Sequence, residues 1–399
     1  MKKKLLLVMT KLGAGGAEKA LVNLLNNIDY CLFDVDLQLF QNTGMNMKFI
    51  PEKVNVLPPL NDNNYLFLNG FKFCKYAIFH FHFIKLMKRI FCNIIPLIKN
   101  NSYRNKAFYF WKFVKPYIKK NDTQYDAAIG YIQGQPIYYV VDCINAAYKI
   151  GWIHNDYLKL PIVPKEYEYL SKLYKLVTVS EGCVDSLKKC FPKLTNIKLI
   201  YNMNCPSLIN KLADSGICPE FNNYYGVLKL ITIGRLTYQK GYDIAVDAAA
   251  ILKEKGISFK WYFMGDGELK HEILEQIQRK GLSEHVTLLG IRENPYPYLK
   301  KADMVIQTSR FEGKSIVVDE AKILKKLIVC TDYPSVNDQI VNETNGLIVP
   351  MSPKGVADGI IKLYNSPDLK NRIENNLQQQ NNQYDDVLEL HHKLFRGTL

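Results

Sequence analysis

Short apolar runs alternate with segments of helical period from one end of the chain to the other, the pattern of repeated strand–helix units. In the first half, Leu5–Met9, Val35–Phe40, Ala127–Tyr131, Ile150–His154, Leu176–Val179 and Ile197–Tyr201 read as strands. In the second half the strand candidates are Leu228–Ile233, Trp261–Met264, Val286–Leu289, Met304–Thr308, Leu327–Cys330 and Gly346–Val349. Helices fall between them, for instance Ile244–Lys255, which carries Ile244, Ala248, Ile251 and Leu252 on one stripe. Alternation of this kind predicts an α/β protein with parallel sheets. Ligands of such sheets bind just beyond the carboxyl ends of the strands, so chemistry is to be sought there.

A chain of 399 residues exceeds one ordinary core, and two domains are expected. The break is placed in the polar, turn-rich stretch 203–226, giving an N-terminal domain over 1–205 and a C-terminal one over 206–371. The last helix, about 372–399, is expected to pack back on the first domain, and the Gln/Asn run at 376–383 reads as a solvated helix end or linker. Residues 65–120 read as an insertion in the first domain, with a composition of their own.

Composition narrows the class. The 48% hydrophobic and 23% charged fractions are those of a soluble globular protein. No stretch reaches the roughly 18 apolar residues of a membrane span. The start, Met1-Lys-Lys-Lys followed by Leu5–Met9, is too short in its apolar part for an export signal, and a buried first strand is the better reading. Nine cysteines, scattered and without a C-x2-C pair, argue against a disulfide framework or a zinc site and for a reducing, cytoplasmic compartment. The net charge of +14 belongs to the first half: residues 1–200 hold 28 Lys/Arg and 14 Asp/Glu, residues 201–399 hold 24 of each. Two domains facing different partners follow.

Three loops carry candidate chemistry. Gly13-Ala-Gly15-Gly16-Ala-Glu18 follows the first strand and opens a helix, where backbone N–H groups can approach an anion. Glu18 departs from the dinucleotide fingerprint, although Asp36 could mimic its ribose-binding acid; a tight turn without ligand is the plain alternative. Gly234-Arg235-Leu-Thr-Tyr-Gln-Lys240-Gly241 follows the first strand of the second half. Arg235 can fork onto phosphate oxygens and Lys240 adds a point charge, a pair suited to a leaving diphosphate, or merely two solvated cations. In Arg310-Phe-Glu312-Gly313-Lys314-Ser315, Ser315 suits the N-cap of a helix running to about Lys325. Free N–H groups near 314–317 would then face an anion, with Glu312 and Glu320 beside it to accept sugar hydroxyls.

Taken together, Gly-Gly-Ala-Glu, Gly-Arg-Leu with Gln-Lys-Gly, Met264-Gly-Asp-Gly267-Glu-Leu and Glu-x7-Glu, in this order and spacing, resemble the glycosyltransferase family 4 enzymes. The resemblance is tight over about 226–365 and looser before 205. It implies the GT-B fold, two Rossmann-like doubly wound domains with a cleft between them, the donor nucleotide in the C-terminal domain and the acceptor on the N-terminal one. It places Arg235 and Lys240 on the donor diphosphate, beside Gly234 and Gly265, with Gly15 and Gly16 closing the first loop over it. Glu320 would hold the ribose hydroxyls. Glu312 would lie against the donor sugar, with Gly313, Lys314 and Ser315 around it. The backbone at Ile291 would meet the base, uridine by family frequency. His154 fits the family's histidine near the sugar's hydroxymethyl group, although a lone His at a strand end also suits a structural role. Lys314 stands where many members have a further glycine, which leaves the donor sugar open. With no Asp-x-Asp site, a metal-independent enzyme without cofactor is implied, using a nucleotide sugar as co-substrate and retaining the anomeric configuration by front-face attack.

Residues 65–120 hold twelve Lys/Arg, sixteen Phe/Tyr/Trp and no acid. Such a surface suits anionic lipid headgroups, which predicts a peripheral protein on the inner face of the cell membrane and a lipid-linked glycan acceptor in capsule, lipopolysaccharide or similar synthesis. Helices packing their aromatics inward are the alternative, and nucleic acid is not expected. A hydride-transfer enzyme is set aside by Glu18. A non-catalytic binding partner of another glycosyltransferase and a sugar-nucleotide epimerase remain as rivals.

Overall fold

The computed structural model describes residues 2–60, 70–80, 82–98, 103–118, 120–221, 226–379 and 384–399. They form two compact units, one of Met1–Gly13, Ala17–Tyr201 and Asp385–Leu399, the other of Ala14–Gly16 and Asn202–Tyr384.

The sheet of the first unit comprises β1 (Lys3–Met9), β2 (Phe33–Leu39), β3 (Asn55–Val56), β4 (Asn121–Gly130), β5 (Ile144–Ile153), β6 (Lys175–Thr178) and β7 (Ile197–Leu199). All pairs are parallel, in the order β3-β2-β1-β4-β5-β6-β7. The chain winds from β1 to one edge, then returns beside β1 as β4 and winds to the other. The crevice between the loops after β1 and β4 is therefore the switch point where doubly wound sheets take ligands.

The second unit repeats the plan with β8 (Leu228–Ile233), β9 (Phe259–Met264), β10 (Val286–Gly290), β11 (Met304–Gln307), β12 (Leu327–Thr331) and β13 (Leu347–Val349), in the order β10-β9-β8-β11-β12-β13. Its switch point lies between β8 and β11. Helices cover both faces, so alternate residues of each strand enter different cores. Leu230, Trp261, Phe263 and Val329 join one cluster, while Ile231, Tyr262, Met264 and Ile328 join the other. Strands buried on both sides are largely apolar, which is why twelve of the thirteen are visible in the sequence, although β2 carries Asp36 and Gln38 within it. The exception, β3, has only two residues at a sheet edge.

The stretch 203–226 is not irregular throughout. Pro206–Ser215 is a helix whose Ile209 and Ala213 lie in the second unit's core. The chain end also divides differently from the expected 372–399. Leu369, Ile373 and Leu377 of the helix Pro367–Gln379 belong to the second unit's core, and only the part from Asp385 joins the first unit. There His392 and Phe395 meet the Phe33 ring, and His391 stacks on Trp152 at 5.1 Å.

Between β3 and β4 lie the helices Gly70–Phe79, Phe83–Ile98 and Tyr103–Val114. Phe73, Phe108, Trp111 and Phe113 are buried against Phe40, Tyr138, Tyr139 and Tyr169, so much of the aromatic content of 65–120 is core rather than surface. Trp111 Nε1–H donates to Asp142 at 2.9 Å. Arg104 is buried with Glu166, and the Tyr157 and Tyr138 hydroxyls join the pair. Burial and the neighbouring Glu166 carboxylate push both phenols well above their ordinary range. Residues 65–69, 81, 99–102 and 119 of the segment, and the end of the Gln/Asn run, lie outside the described residues.

Candidate functional site

At the switch point of the second unit, three loops lock together through their backbones. Gly234 follows β8, and its N–H donates to Met264 O at 3.0 Å while its carbonyl accepts the Tyr242 hydroxyl at 3.0 Å. Gly265, after β9, has φ +148°, and a Cβ there would stand 1.8 Å from Gly234 O. Only glycine fits such an approach. Gly241, at φ +63°, closes the turn after Lys240, and a Cβ on it would stand 2.2 Å from Thr308 O beyond β11. The Thr308 hydroxyl donates to Lys240 O at 2.9 Å, and the Arg310 N–H to Gln239 O at 2.8 Å. The Arg310 guanidinium forks onto Asp243 at 2.6 and 2.9 Å, tying the loop after β11 to the helix Tyr242–Glu254.

Into this frame project Lys240 and Glu312, which pair at 2.5 Å with side chains 17% and 7% exposed. The lysine stem passes Gly234 closely: a Cβ there would lie 3.1 Å from its Cδ and Cε. Glu312 also accepts from the Ser309 hydroxyl at 2.6 Å, Gln307 Nε2 at 3.0 Å and Gln239 Nε2 at 3.4 Å. Four donors thus hold one buried carboxylate in one position, the arrangement that makes burial of a charge tolerable. Lys240, expected on a diphosphate, is here the partner of the glutamate expected beside the sugar. Arg235 is exposed, and its side chain has no partner among the described residues.

Ser315 has the extended backbone of an N-cap for the helix Ile316–Ile323, but its side chain makes no capping bond. Its hydroxyl is buried without a hydrogen-bond partner among the described residues. The Ser315 N–H, expected free, donates to Gln339 Oε1 at 2.7 Å, and Gln339 Nε2 donates to Ser315 O and Asp319 Oδ1, both at 2.8 Å. Gln339 is buried and fixes the loop from a distant turn. Neither period nor motif marks it in the sequence. Gly313 is buried, Lys314 lies 3.5 Å from Asp319, and Ser335 donates to Glu312 O at 3.0 Å. Glu320 is fully buried within the helix, and its carboxylate accepts the Tyr296 hydroxyl at 2.9 Å. Burial and that carboxylate raise the Tyr296 phenol well above its ordinary range. Ile291 is exposed just after Gly290, and Arg292 beside it pairs with Glu220 at 2.7 Å.

Gly15 precedes and Gly16 opens the helix Gly16–Asn27, whose residues from Ala17 on belong to the first unit. The loop before them is pinned by Leu12 N–H to Thr43 O at 3.0 Å and Asn46 N–H to Leu12 O at 3.1 Å. Asp36 is not a ribose-binding acid at a strand end. It sits in the middle of β2, buried, accepting from Asn55 at 2.7 Å and Tyr125 at 2.8 Å. His154 follows β5, and its Nε2–H donates to Tyr131 O, in the loop after β4, at 3.0 Å. This bond holds the imidazole at the carboxyl end of the first sheet.

Among the described residues no group of three or more His, Cys, Asp or Glu is placed to hold a metal ion, and no helix is long and apolar enough to cross a membrane. Residues 220–380 match the family model of glycosyl transferases group 1. The α-D-kanosaminyltransferase of Streptomyces kanamyceticus is 28% identical over 151 residues, 37% of this chain and 39% of that one. An N-acetylgalactosaminyltransferase of Campylobacter jejuni, named for an N-acetylgalactosamine-N,N'-diacetylbacillosaminyl-diphospho-undecaprenol substrate, is 29% identical over 160 residues, 40% of this chain and 43% of that one. The chain thus spans about two fifths of these two relatives. Anabaena HepE, solved in complex with UDP and glucose, superposes with a TM-score of 0.67 over 99% of this chain and 100% of that one, at 16% identity. The matched region likens residues 220–380 to the group 1 glycosyl transferases, and the structural likeness shows the fold shared with the GT-B enzymes.

Proposed function

We propose that this chain, with the fold of the GT-B glycosyltransferases, moves a sugar from a nucleoside diphosphate donor to a glycan acceptor with retention at the anomeric carbon. The carrying observation is the Lys240–Glu312 pair at the switch point between β8 and β11, with the unpartnered cation Arg235 one loop turn away. A cation fixed in a largely buried loop frame, with a second, exposed one beside it in the sequence, favours the charge that develops on a departing diphosphate. Arg235 and Lys240 take that charge. Glu312 keeps Lys240 in place and accepts a hydroxyl of the donor sugar. Glu320 exchanges contacts it makes now, the Tyr296 hydroxyl among them, for the ribose hydroxyls. Gly15, Gly16, Gly313, Lys314 and Ser315 line the donor, Ile291 meets the base, and His154 lies against the sugar. In the step, the bond from the anomeric carbon to the diphosphate oxygen breaks and the acceptor oxygen bonds on the same face. The acceptor hydroxyl's proton passes to the departing phosphate oxygen, so no protein nucleophile and no metal is called on.

Uridine is the favoured base, which the UDP in the HepE complex supports. A lipid-linked acceptor in surface polysaccharide synthesis is favoured by the diphospho-undecaprenol of the Campylobacter relative and by the basic insertion, and places the enzyme in the cytoplasm against the inner face of the membrane. The test is acceptor-dependent release of nucleotide from a panel of nucleotide sugars, with the anomeric configuration of the product read by NMR. Binding without release under every combination would leave a non-catalytic partner. Donor consumption at equal rate without acceptor would make the chain an epimerase or hydrolase.

A further inference from the structure

The helices Gly70–Phe79 and Phe83–Ile98 present a second apolar face besides the one they bury. Phe73 and Ala77 of the first are fully buried, whereas Ile78 and Phe79 are 55% and 78% exposed. In the second, Phe83, Ile84, Met87 and Ile90 are 53%, 74%, 54% and 40% exposed. At 100° per residue these four fall within an arc of about 120°. Leu86, flanking the stripe beside Ile90, packs against the core, and on the far side the Arg89 guanidinium lies 4.3 Å from the Phe73 ring centroid and 5.3 Å from that of Phe110. Lys88 is exposed along the edge of the outward stripe, and Lys75 is exposed one turn before Phe79.

We infer that this stripe, formed by Ile78, Phe79, Phe83, Ile84, Met87 and Ile90, is the surface by which the chain docks on an anionic lipid bilayer. Charge decides the occupant. Lys75 and Lys88 stand exposed beside the stripe, and residues 65–120 contain no acid to offset them, so a second copy seated on the same face would oppose cation to cation. Nucleic acid would need exposed rings for stacking, but Phe73, Phe108, Trp111 and Phe113 are turned inward, and the exposed stripe is mostly aliphatic. A partner that is anionic at its surface and apolar just beneath meets both demands, and a bilayer with acidic headgroups is such a partner. The inference deepens the membrane part of the proposed function and is read without any substrate, so a failure of sugar transfer leaves its test untouched.

The full chain is to be sedimented with vesicles of phosphatidylcholine containing roughly one third phosphatidylglycerol, and with phosphatidylcholine alone, at about 50 and 500 mM NaCl. Partitioning to the anionic vesicles is expected to exceed that to neutral ones by at least about tenfold at low salt, and to fall without vanishing at high salt. Lys75→Glu with Lys88→Glu removes most of the low-salt gain, since each surface cation is worth about fivefold. Ile84→Asp removes the salt-resistant part. All three side chains are exposed, and thermal melting of both variants should match the wild type. Arg89 is unsuitable for this test, because its stacking on Phe73 couples it to the fold. If Ile84→Asp melts lower, Ile84→Ser is compared at high salt in its place. Equal binding to both vesicle types, no binding at low salt, or a self-associated state that Ile84→Asp dissolves would each overturn the inference. The last outcome would make the stripe a protein interface.

Discussion

Removing Lys240 should cost both stability and catalysis, whereas removing Arg235 should cost catalysis alone. Both are loop residues, and by sequence either substitution would be expected to leave folding intact. The structure separates them. Lys240 balances a carboxylate that is 7% exposed, at 2.5 Å. Deleting one member of a buried pair costs about 3–5 kcal/mol. Glu312 would keep Ser309, Gln307 and Gln239 as donors, and Lys240 is itself 17% exposed, so about 2–3 kcal/mol is the better figure here. In a unit of this size that lowers the melting temperature by roughly 5–10 °C. Arg235 is exposed, and its loss should shift stability by no more than about 0.5 kcal/mol. Turnover should fall about a hundredfold or more in both if, as proposed, each cation meets the leaving diphosphate. The assay pairs calorimetry with acceptor-dependent nucleotide release on Arg235→Ala, Lys240→Ala and Lys240→Ala/Glu312→Gln. In the double variant, neutralising Glu312 should restore part of the lost stability and none of the activity. A Lys240→Ala protein that melts with the wild type would refute the buried-pair argument. Undiminished turnover in Arg235→Ala would sink the diphosphate assignment.

Glu320→Gln should weaken nucleotide binding more than it slows turnover, and Glu312→Gln the reverse, as isothermal titration and steady-state kinetics would show; equal nucleotide affinity in Glu320→Gln and wild type would remove the ribose role. Activity should persist in EDTA, and its complete loss with rescue by magnesium would contradict the metal-independent scheme. The fold should weaken in acid through His391, whose imidazole is lowered to about 4 chiefly by burial. The folded state disfavours the protonated ring, so this contribution is fully present above about pH 6.5 and is lost as pH falls through about 4, amounting to about 3 kcal/mol. Urea midpoints at both ends of that window measure it, and His391→Phe should flatten the difference.

The strands and their parallel arrangement were legible in the chain, because parallel strands covered on both faces are largely apolar at consecutive positions. The loop glycines were legible too, for Gly241 and Gly265 answer backbone approaches that no other residue permits. These are local demands, met within a few residues of where they arise, and a sequence displays them directly. What sits across a gap is decided by tertiary structure. Nothing near residue 339 says that its amide will clamp Ser315, and nothing in the Glu-x7-Glu spacing says that Glu312 pairs with Lys240 while Glu320 is buried with Tyr296. Asp36 resembled a ligand-binding acid until its place in the middle of β2 gave it Asn55 and Tyr125 as partners. The basic, aromatic insertion shows the limit most plainly. Composition established its charge, but a ring contributes the same letter to the sequence whether it is packed or exposed. Only the docking of the helices Gly70–Phe79 and Phe83–Ile98 on the first sheet's core turned Phe73 inward and left Phe79 and Phe83 in solvent. That choice is made by the shape of the surface a helix packs against, which lies elsewhere in the chain.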